Sequence, residues 1–418
     1  MKNILLVEPN FPIPGKSKNH KNFLPIGLLK IASYYRKKGH YVKLIRGNLK
    51  LEDFNFKPDE IKITSLFTYW APYVKDSVFY YHKIFPNTKI TVGGIYASLM
   101  PSHCKAYTKC DSVHKGIFKQ AEKYKPAYDL ITNHNSEEID YQILHTTRGC
   151  PRKCEFCGTW AIEPEFESKK SIKNEIFQKK IIFYDNNLLM NSHIEKILNE
   201  LIALKKQRKI SWCESQSGFD GRVLTKKPNL AKKLKQAGFR CPRIAWDWGI
   251  KDHIKIKEQL DILMGGGYKS NDIFIFMVYN WDIPFEEMEE KRIKCWDWKV
   301  QISDCRFRPL DQTYDYYNGK KVQTNKDYFI HEKWTDELVK QFRKNIRRQN
   351  ICIRQNVIFY STSFERMKVD KKLYSRIKVM QKKEIKNYLD KRKIDYWFPD
   401  FLNFPENKKE EEKVEILT

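Results

Sequence analysis

Cys150, Cys154 and Cys157 stand close together, with three and then two residues between them. Thiolates this near in sequence can grip one metal or cluster, because a short loop can turn all three sulfurs inward. An iron–sulfur cube takes four ligands, so three cysteines satisfy three irons and leave the fourth open to a small molecule. Structural zinc is the competing chemistry. It takes four ligands, usually two Cys-x2-Cys pairs or a Cys pair with a His pair. One Cys-x2-Cys is present in this region, and the next cysteine is Cys213. His145, five residues before the triad in a stretch that reads as a strand, is the nearby candidate for a fourth ligand.

The Cys-x3-Cys-x2-Cys spacing, with the aromatic Phe156 inside it and Gly158 just after it, resembles the radical S-adenosylmethionine (radical SAM) superfamily. The resemblance implies a [4Fe-4S] cluster on Cys150, Cys154 and Cys157. It implies that S-adenosylmethionine chelates the open iron through its amino and carboxylate groups. Reductive cleavage then yields a 5′-deoxyadenosyl radical that abstracts hydrogen from a substrate. By the same resemblance Phe156 and Gly158 lie at the cofactor, and a flavodoxin or ferredoxin supplies the electron. The protein's share of such chemistry is positioning and exclusion of water.

Elements on both sides must hold this loop. Residues 1–130 alternate short strands and helices. Strands are expected over 4–7, 41–45, 60–64 and 90–92. Pro25 suits the first turn of a helix, with Leu28, Leu29, Ala32 and Tyr35 on one face and Gly39 as its stop. Such alternation predicts a parallel sheet covered on both faces. Three segments, 25–29, 35–40 and 92–98, resemble the cobalamin-binding-like domain that precedes the radical SAM core in one branch of that superfamily. In such a sheet a ligand lies beyond the carboxyl ends of the strands, and Gly93-Gly94 would let backbone approach it closely. A cobalt-ligating histidine would sit in Asp-x-His-x-x-Gly. His20 has Lys18 before it and Phe23 after it, so it reads as a loop histidine, and cobalamin stays open as a second cofactor. Cys104 and Cys110 form a pair without a third partner.

A linker from Glu137 leads to a strand over 142–146 that delivers the cysteine loop. Further strands are expected over 180–184, 210–214, 243–247, 273–279 and 299–303. With the helices between them they resemble the partial (β/α)6 TIM barrel of the radical SAM core, over roughly 140–310. Barrels of this kind place chemistry at the carboxyl ends of their strands. Asp185, Asn186 and Asn187 follow the second strand, where the resemblance puts groups that hold the amino group of S-adenosylmethionine. Gln216 and Arg222 follow the third, and a guanidinium there can pair with the methionyl carboxylate. Asp247 ends the fourth and can accept from ribose hydroxyls. Each of these also fits a cap, turn or surface ion pair. Ser192 and Glu195 predict a capping box before a helix with Ile194, Ile197, Leu198, Leu201 and Ile202 inward. Gly265, Gly266 and Gly267 read as a helix stop. Five tryptophans, Trp246, Trp248, Trp281, Trp296 and Trp298, divide between core and a substrate cavity. Cys213, Cys241, Cys295 and Cys305 are scattered singly and read as free thiols.

The chain of 418 residues has room for several domains. The expected division is 1–130 Rossmann-like, 137–310 radical SAM core, 311–405 basic and mostly helical, and 406–418 disordered tail. No stretch approaches eighteen apolar residues, so no transmembrane helix is expected. The start has too short an apolar run for a signal peptide, and ten cysteines without one point to a cytoplasmic, reducing setting. Formal net charge is +27. Residues 320–393 hold 22 Lys and Arg against 8 Asp and Glu, about half of that excess. A basic helix is expected over 335–350 and another over 369–390, with Leu373, Ile377 and Met380 as its apolar face. Basic faces can track a phosphate backbone, but charge runs are also ordinary solvated surfaces. Three functions therefore stand: a radical SAM enzyme of unknown substrate, with methyl or alkyl transfer if cobalamin binds; an RNA-modifying relative using the basic C-terminal face; and a non-catalytic, metal-stabilised binding protein.

Overall fold

The computed structural model describes residues 1–13, 24–49, 56–132, 139–356 and 382–393. His20, Glu137, the apolar positions Leu373, Ile377 and Met380, and the tail at 406–418 lie outside the described residues. The chain forms two compact units. The first is Met1–Ser211 with Arg308–Asn318 and Asn325–Phe329; the second is Trp212–Phe307 with Gly319–Thr324 and Ile330–Thr418. The cysteine loop thus belongs with the N-terminal sheet, although the sequence suggested a division near 130.

The first unit is built on five strands: β1 (Asn3–Glu8), β2 (Tyr41–Arg46), β3 (Glu60–Ser65), β4 (Lys89–Gly94) and β5 (Ser112–Val113). They pair in parallel in the order β2-β1-β3-β4-β5. Side chains alternate between the two faces of such a sheet. Leu5, Val7, Ile61, Ile63, Ile90 and Val92 enter one core, with Val74, Val78 and Tyr81 of α2 (Ala71–Ile84). Ile4, Leu6, Val42 and Leu44 enter the other, with Leu28, Leu29 and Ala32 of α1 (Ile26–Lys37). The double cover suits β1, which is buried on both faces, whereas β3 and β4 alternate buried apolar with less buried polar residues. The strand order reverses between β1 and β3, the usual place for a ligand crevice in doubly wound sheets. Gly94 turns the end of β4 into α3 (Ile95–Leu99) with φ +102°, and a Cβ there would lie 2.9 Å from the Ser65 nitrogen. The close approach that glycine allows here is to the neighbouring strand. Helix α4 (Pro101–Thr108) follows and buries Cys104.

After the short α5 (Asp129–Thr132), β6 (Tyr141–Leu144) pairs in parallel with β9 (Lys180–Phe183). Between them β7 (Thr147–Arg148) and β8 (Glu167–Ser168) form an antiparallel ribbon. The cysteines and α6 (Thr159–Ile162) occupy the excursion between β7 and β8. Helix α7 (Ile194–Lys206) buries Ile194, Ile197, Leu198 and Leu201, but no capping box forms. The Ser192 nitrogen donates to Ser168 Oγ, and Asn191 makes the turn by accepting from the His193 nitrogen at 2.7 Å. The same Asn191 donates to the Thr146 carbonyl at 2.9 Å, so a tertiary bond has replaced the local cap.

The second unit carries β10 (Trp212–Ser215), α8 (Gly221–Lys226), α9 (Asn229–Gln236), β11 (Arg243–Ala245), α10 (His253–Gly265), β12 (Phe274–Tyr279), α11 (Phe285–Asp297), β13 (Gln301–Arg306), α12 (Asp336–Gln355) and α13 (Lys382–Lys391). Strands β11, β12 and β13 pair in parallel. The six strands expected as one partial barrel do not form one continuous hydrogen-bonded sheet among the described residues. The break lies between β10 and β11, where only the isolated bridges Cys213↔Phe239 and Phe219↔Ile244 occur. Arg243 spans that gap with its side chain, donating to the Ser215 carbonyl at 2.9 Å and to Glu214 Oε1 at 2.7 Å. The glycine run behaves as a helix stop: α10 ends at Gly265, and Gly267 has φ +98°. Among the described residues no helix is long and apolar enough to cross a membrane.

Candidate metal centre

The cysteine loop is held at its root by one buried carboxylate. Asp185, just beyond β9, is fully buried. Its Oδ1 accepts from the Thr146 and Thr147 backbone nitrogens at 2.8 and 2.5 Å, and from their hydroxyls at 2.6 and 2.8 Å. Burial pushes this carboxyl above its ordinary range, against four donors that favour the ionised form. Two residues later the chain leaves the ribbon at Gly149, with φ +68°. A Cβ at Gly149 would overlap the Glu165 carbonyl oxygen and lie 2.9 Å from that of Glu163. Only glycine lets the two limbs of the loop approach this closely.

Asn186 and Asn187 carry the restraint outward. Asn186 Nδ2 donates to Glu163 Oε2 at 3.1 Å, and that oxygen also accepts from the Gly149 nitrogen at 2.6 Å. Asn186 Oδ1 accepts from the Thr159 hydroxyl at 3.4 Å, and the Cys157 thiol contacts that hydroxyl at 3.3 Å. Asn187 Nδ2 lies 3.9 Å from Cys150 Sγ, and the Arg152 nitrogen donates to the same sulfur at 3.4 Å. Three consecutive side chains after one strand thus fasten the root, the return limb and a thiol of one loop.

Salt bridges through Glu122 tie the root of the loop to α1. Glu122 Oε2 pairs with Lys30 of α1 at 3.2 Å and with Arg148 of β7 at 2.7 Å. Burial works against the ionised Glu122, but Arg148 and Lys30 together hold its pKa below the usual value. Gly158 packs against α3: a Cβ there would lie 3.1 Å from a methyl of Leu99. A side chain at this position would make the Leu99 methyls give way by a few tenths of an ångström.

Cys150, Cys154 and Cys157 are all partly exposed and free of disulfides. The Cys157 nitrogen donates to the Cys154 carbonyl at 3.0 Å, which makes the tight turn between them. Among the described residues no three His, Cys, Asp or Glu side chains converge as a ready-made ion site. The chemistry of the three thiols fits an iron–sulfur cube: an all-sulfur donor set, open to solvent, with N–H groups directed at Cys150. His145 is buried, with its ring edge-on to Tyr184. Burial, reinforced by Arg148, Lys30 and Lys169, holds its imidazole well below the ordinary pKa, so it is neutral. Phe156 is partly buried within the loop.

The second unit holds the remaining candidates. Asp247 follows β11, and its carboxyl is pushed up to about 6 by burial, against the pull of Lys291 and Arg222. Lys291 is fully buried on α11 and donates to the Trp246 and Trp248 carbonyls, each at 2.8 Å. Burial lowers its pKa to about 8. The Arg222 guanidinium is engaged with Asp220, at 3.0 Å from Nε to Oδ1, while Asp220 caps α8. Gln216 donates to Glu214 at 3.1 Å. Of the tryptophans, Trp246 and Trp296 are buried and Trp248 is exposed; Trp246 stacks on Trp298 at 5.6 Å. Among the singly placed cysteines, Cys213 and Cys295 are buried and Cys305 is exposed.

The Asp247 carboxyl has a consequence for stability. An unfolded aspartate titrates near 4. Between about pH 4 and 6 the folded carboxyl keeps a proton that the unfolded chain has lost, so its contribution to stability falls as pH rises through that window. Thermal melts across this range should show wild-type Tm declining relative to Asp247→Asn, and parallel profiles would refute the assignment.

Sequence reasoning alone did not single out Glu163, Glu122, Thr146, Thr147, Asn191 or Lys291. The two threonines at the end of an apolar strand were a readable signal, since buried polar groups need partners. The others act across long sequence separations and left no local mark. No protein-family model matches the chain, and no curated protein sequence matches it. Fold and geometry define an α/β protein with a five-stranded parallel sheet and a braced cysteine loop attached to it.

Proposed function

We propose that the chain is a radical SAM enzyme, with a [4Fe-4S] cluster held by Cys150, Cys154 and Cys157. The observation that carries this reading is the three-cysteine loop itself: Cys-x3-Cys-x2-Cys, partly exposed, leaving the carboxyl end of a strand in a parallel pair. When bound there, a cluster with one open iron supplies the electron that cleaves S-adenosylmethionine, and the resulting 5′-deoxyadenosyl radical takes a hydrogen from the substrate. Asp185, Asn186, Asn187 and Glu163 keep the loop in register, and Phe156 with Gly158 flanks the adenine. Arg222 and Asp247, which follow β10 and β11 in the second unit, are the candidate groups for the carboxylate and ribose of S-adenosylmethionine. A flavodoxin or ferredoxin is the reductant. The N-terminal sheet is a cobalamin-binding-like domain.

The test is anaerobic reconstitution with iron and sulfide, followed by dithionite and S-adenosylmethionine. 5′-Deoxyadenosine should form, and Cys157→Ala should abolish it. Metal retention without deoxyadenosine would leave a binding protein. The absorption spectrum of anaerobically isolated protein decides the branch. A corrinoid implies methyl or alkyl transfer; without one, the reaction is a rearrangement or another oxidation.

A further inference from the structure

Helix α12 presents a surface that the chemistry proposed above does not use. Its inward side is committed. Val339, Phe342, Ile346, Cys352 and Ile353 are buried. Asn345 Nδ2 donates to Glu289 Oε2 at 3.0 Å, and Gln349 accepts from Arg292 Nη1 at 2.8 Å. Asn350 behaves like one more residue of sheet: its Oδ1 accepts from the Ile302 nitrogen at 2.9 Å, and its Nδ2 donates to the Ile302 carbonyl at 2.7 Å. These bonds fix the rotation of the helix about its axis, so the identity of its outward face is not left to chance.

That outward face is cationic. Arg343, Lys344, Arg347 and Arg354 are exposed, with Arg343 Nε 3.8 Å from Asp304 Oδ2 of β13. Positions 343, 347 and 354 fall on one side of the helix and span about 17 Å at its 1.5 Å rise per residue. The acids of α12 are confined to Asp336 and Glu337 in its first turn, where the helix dipole favours them. Asp336 is already paired with Lys340 at 2.6 Å. The choice of cation is informative. The chain contains 60 Lys and 18 Arg, yet α12 carries four Arg and two Lys. A general drift toward lysine produces the opposite ratio. Arginine offers a planar fork that grips a phosphate with two hydrogen bonds, which lysine cannot do.

We infer that the outward face of α12 binds the phosphate backbone of a nucleic-acid strand. An anionic lipid surface fits less well. A helix that lies in a membrane interface needs a free apolar face, and the apolar face of α12 is buried in its own unit. This inference concerns binding alone and does not depend on the cysteine loop holding a cluster.

The test uses the full chain and fluorescence anisotropy with labelled single-stranded RNA and DNA of about 20 nucleotides. Each phosphate contact on a single strand should contribute about −0.7 to the slope of log affinity against log salt. The triple variant Lys344→Gln, Arg347→Gln, Arg354→Gln should bind at least about tenfold more weakly at 50 mM salt, and its slope should flatten by about 2. All three side chains are exposed, so its circular dichroism and Tm should match wild type. A control triple, Lys226→Gln, Lys227→Gln, Lys232→Gln, removes equal charge from exposed positions on and around α8 and α9 and should stay within about twofold of wild type. The inference fails if wild type binds neither strand at 50 mM salt, or if both triples lose affinity equally. It also fails if phosphatidylserine vesicles are bound and nucleic acid is not.

Discussion

Asp185→Ala should leave all three cysteines in place and yet deprive the loop of iron. The substitution removes the one oxygen that accepts from two backbone nitrogens and two hydroxyls of Thr146 and Thr147. Both threonines are buried, so the abandoned donors cannot turn to water. Stranding a buried donor costs about 1–3 kcal/mol. With four involved and partial relaxation, the first unit should lose roughly 3–5 kcal/mol. A loop that must close three thiols on one cluster needs a fixed root, because metal binding has to supply whatever ordering the fold does not. Iron and sulfide content after anaerobic reconstitution should therefore fall severalfold. Asp185→Asn separates geometry from charge. Its amide oxygen can still accept, so loading should stay well above that of the alanine variant. Normal iron content in Asp185→Ala would show that the brace is dispensable.

Arg292→Met is the second large effect, and it falls on the other unit. Arg292 and Glu289 are essentially without solvent contact. Their Nη2–Oε2 separation is 2.7 Å, and each also bonds to α12, through Gln349 and Asn345. Removing one partner of a buried pair leaves an uncompensated charge and typically costs about 3–5 kcal/mol. Urea unfolding of the variant should show that loss as a lowered midpoint, with α12 as the element released. The double variant Glu289→Leu, Arg292→Met should recover much of it, since an apolar pair of similar volume removes the stranded carboxylate. A change below about 1 kcal/mol in the single variant would mean that water reaches the pair.

The two variants also separate the two halves of the functional reading. Asp185→Ala should impair cluster loading and leave nucleic-acid binding intact. Arg292→Met should loosen α12 and weaken nucleic-acid binding, while the cysteine loop still accepts iron. A result in which either variant disturbs both properties equally would point to global unfolding rather than to the local roles assigned here.

Much of this molecule was legible in one dimension. The strands of the N-terminal sheet follow from short apolar stretches bounded by Gly, Pro and Asn: a continuous run in β1, which is buried on both faces, and alternation in β3 and β4, which bury one face most deeply. The cysteine spacing marks a candidate ligand set because three cysteines within one short loop stay near one another whatever the rest of the chain does. Tertiary structure alone decided what holds that loop. Asp185, Asn186 and Asn187 could be read as cofactor ligands, and the folded chain shows each bonded to the loop itself. Glu122 reaches Arg148 across 26 residues and Lys30 across 92, separations that no periodicity encodes. The capping box at Ser192 was correct as a local pattern and lost to Asn191, whose amide found better partners in the Thr146 and Lys169 carbonyls. Local rules act over one turn or one strand pair. A buried polar group takes whichever partner the packed chain brings within 3 Å, and only the fold determines which one that is.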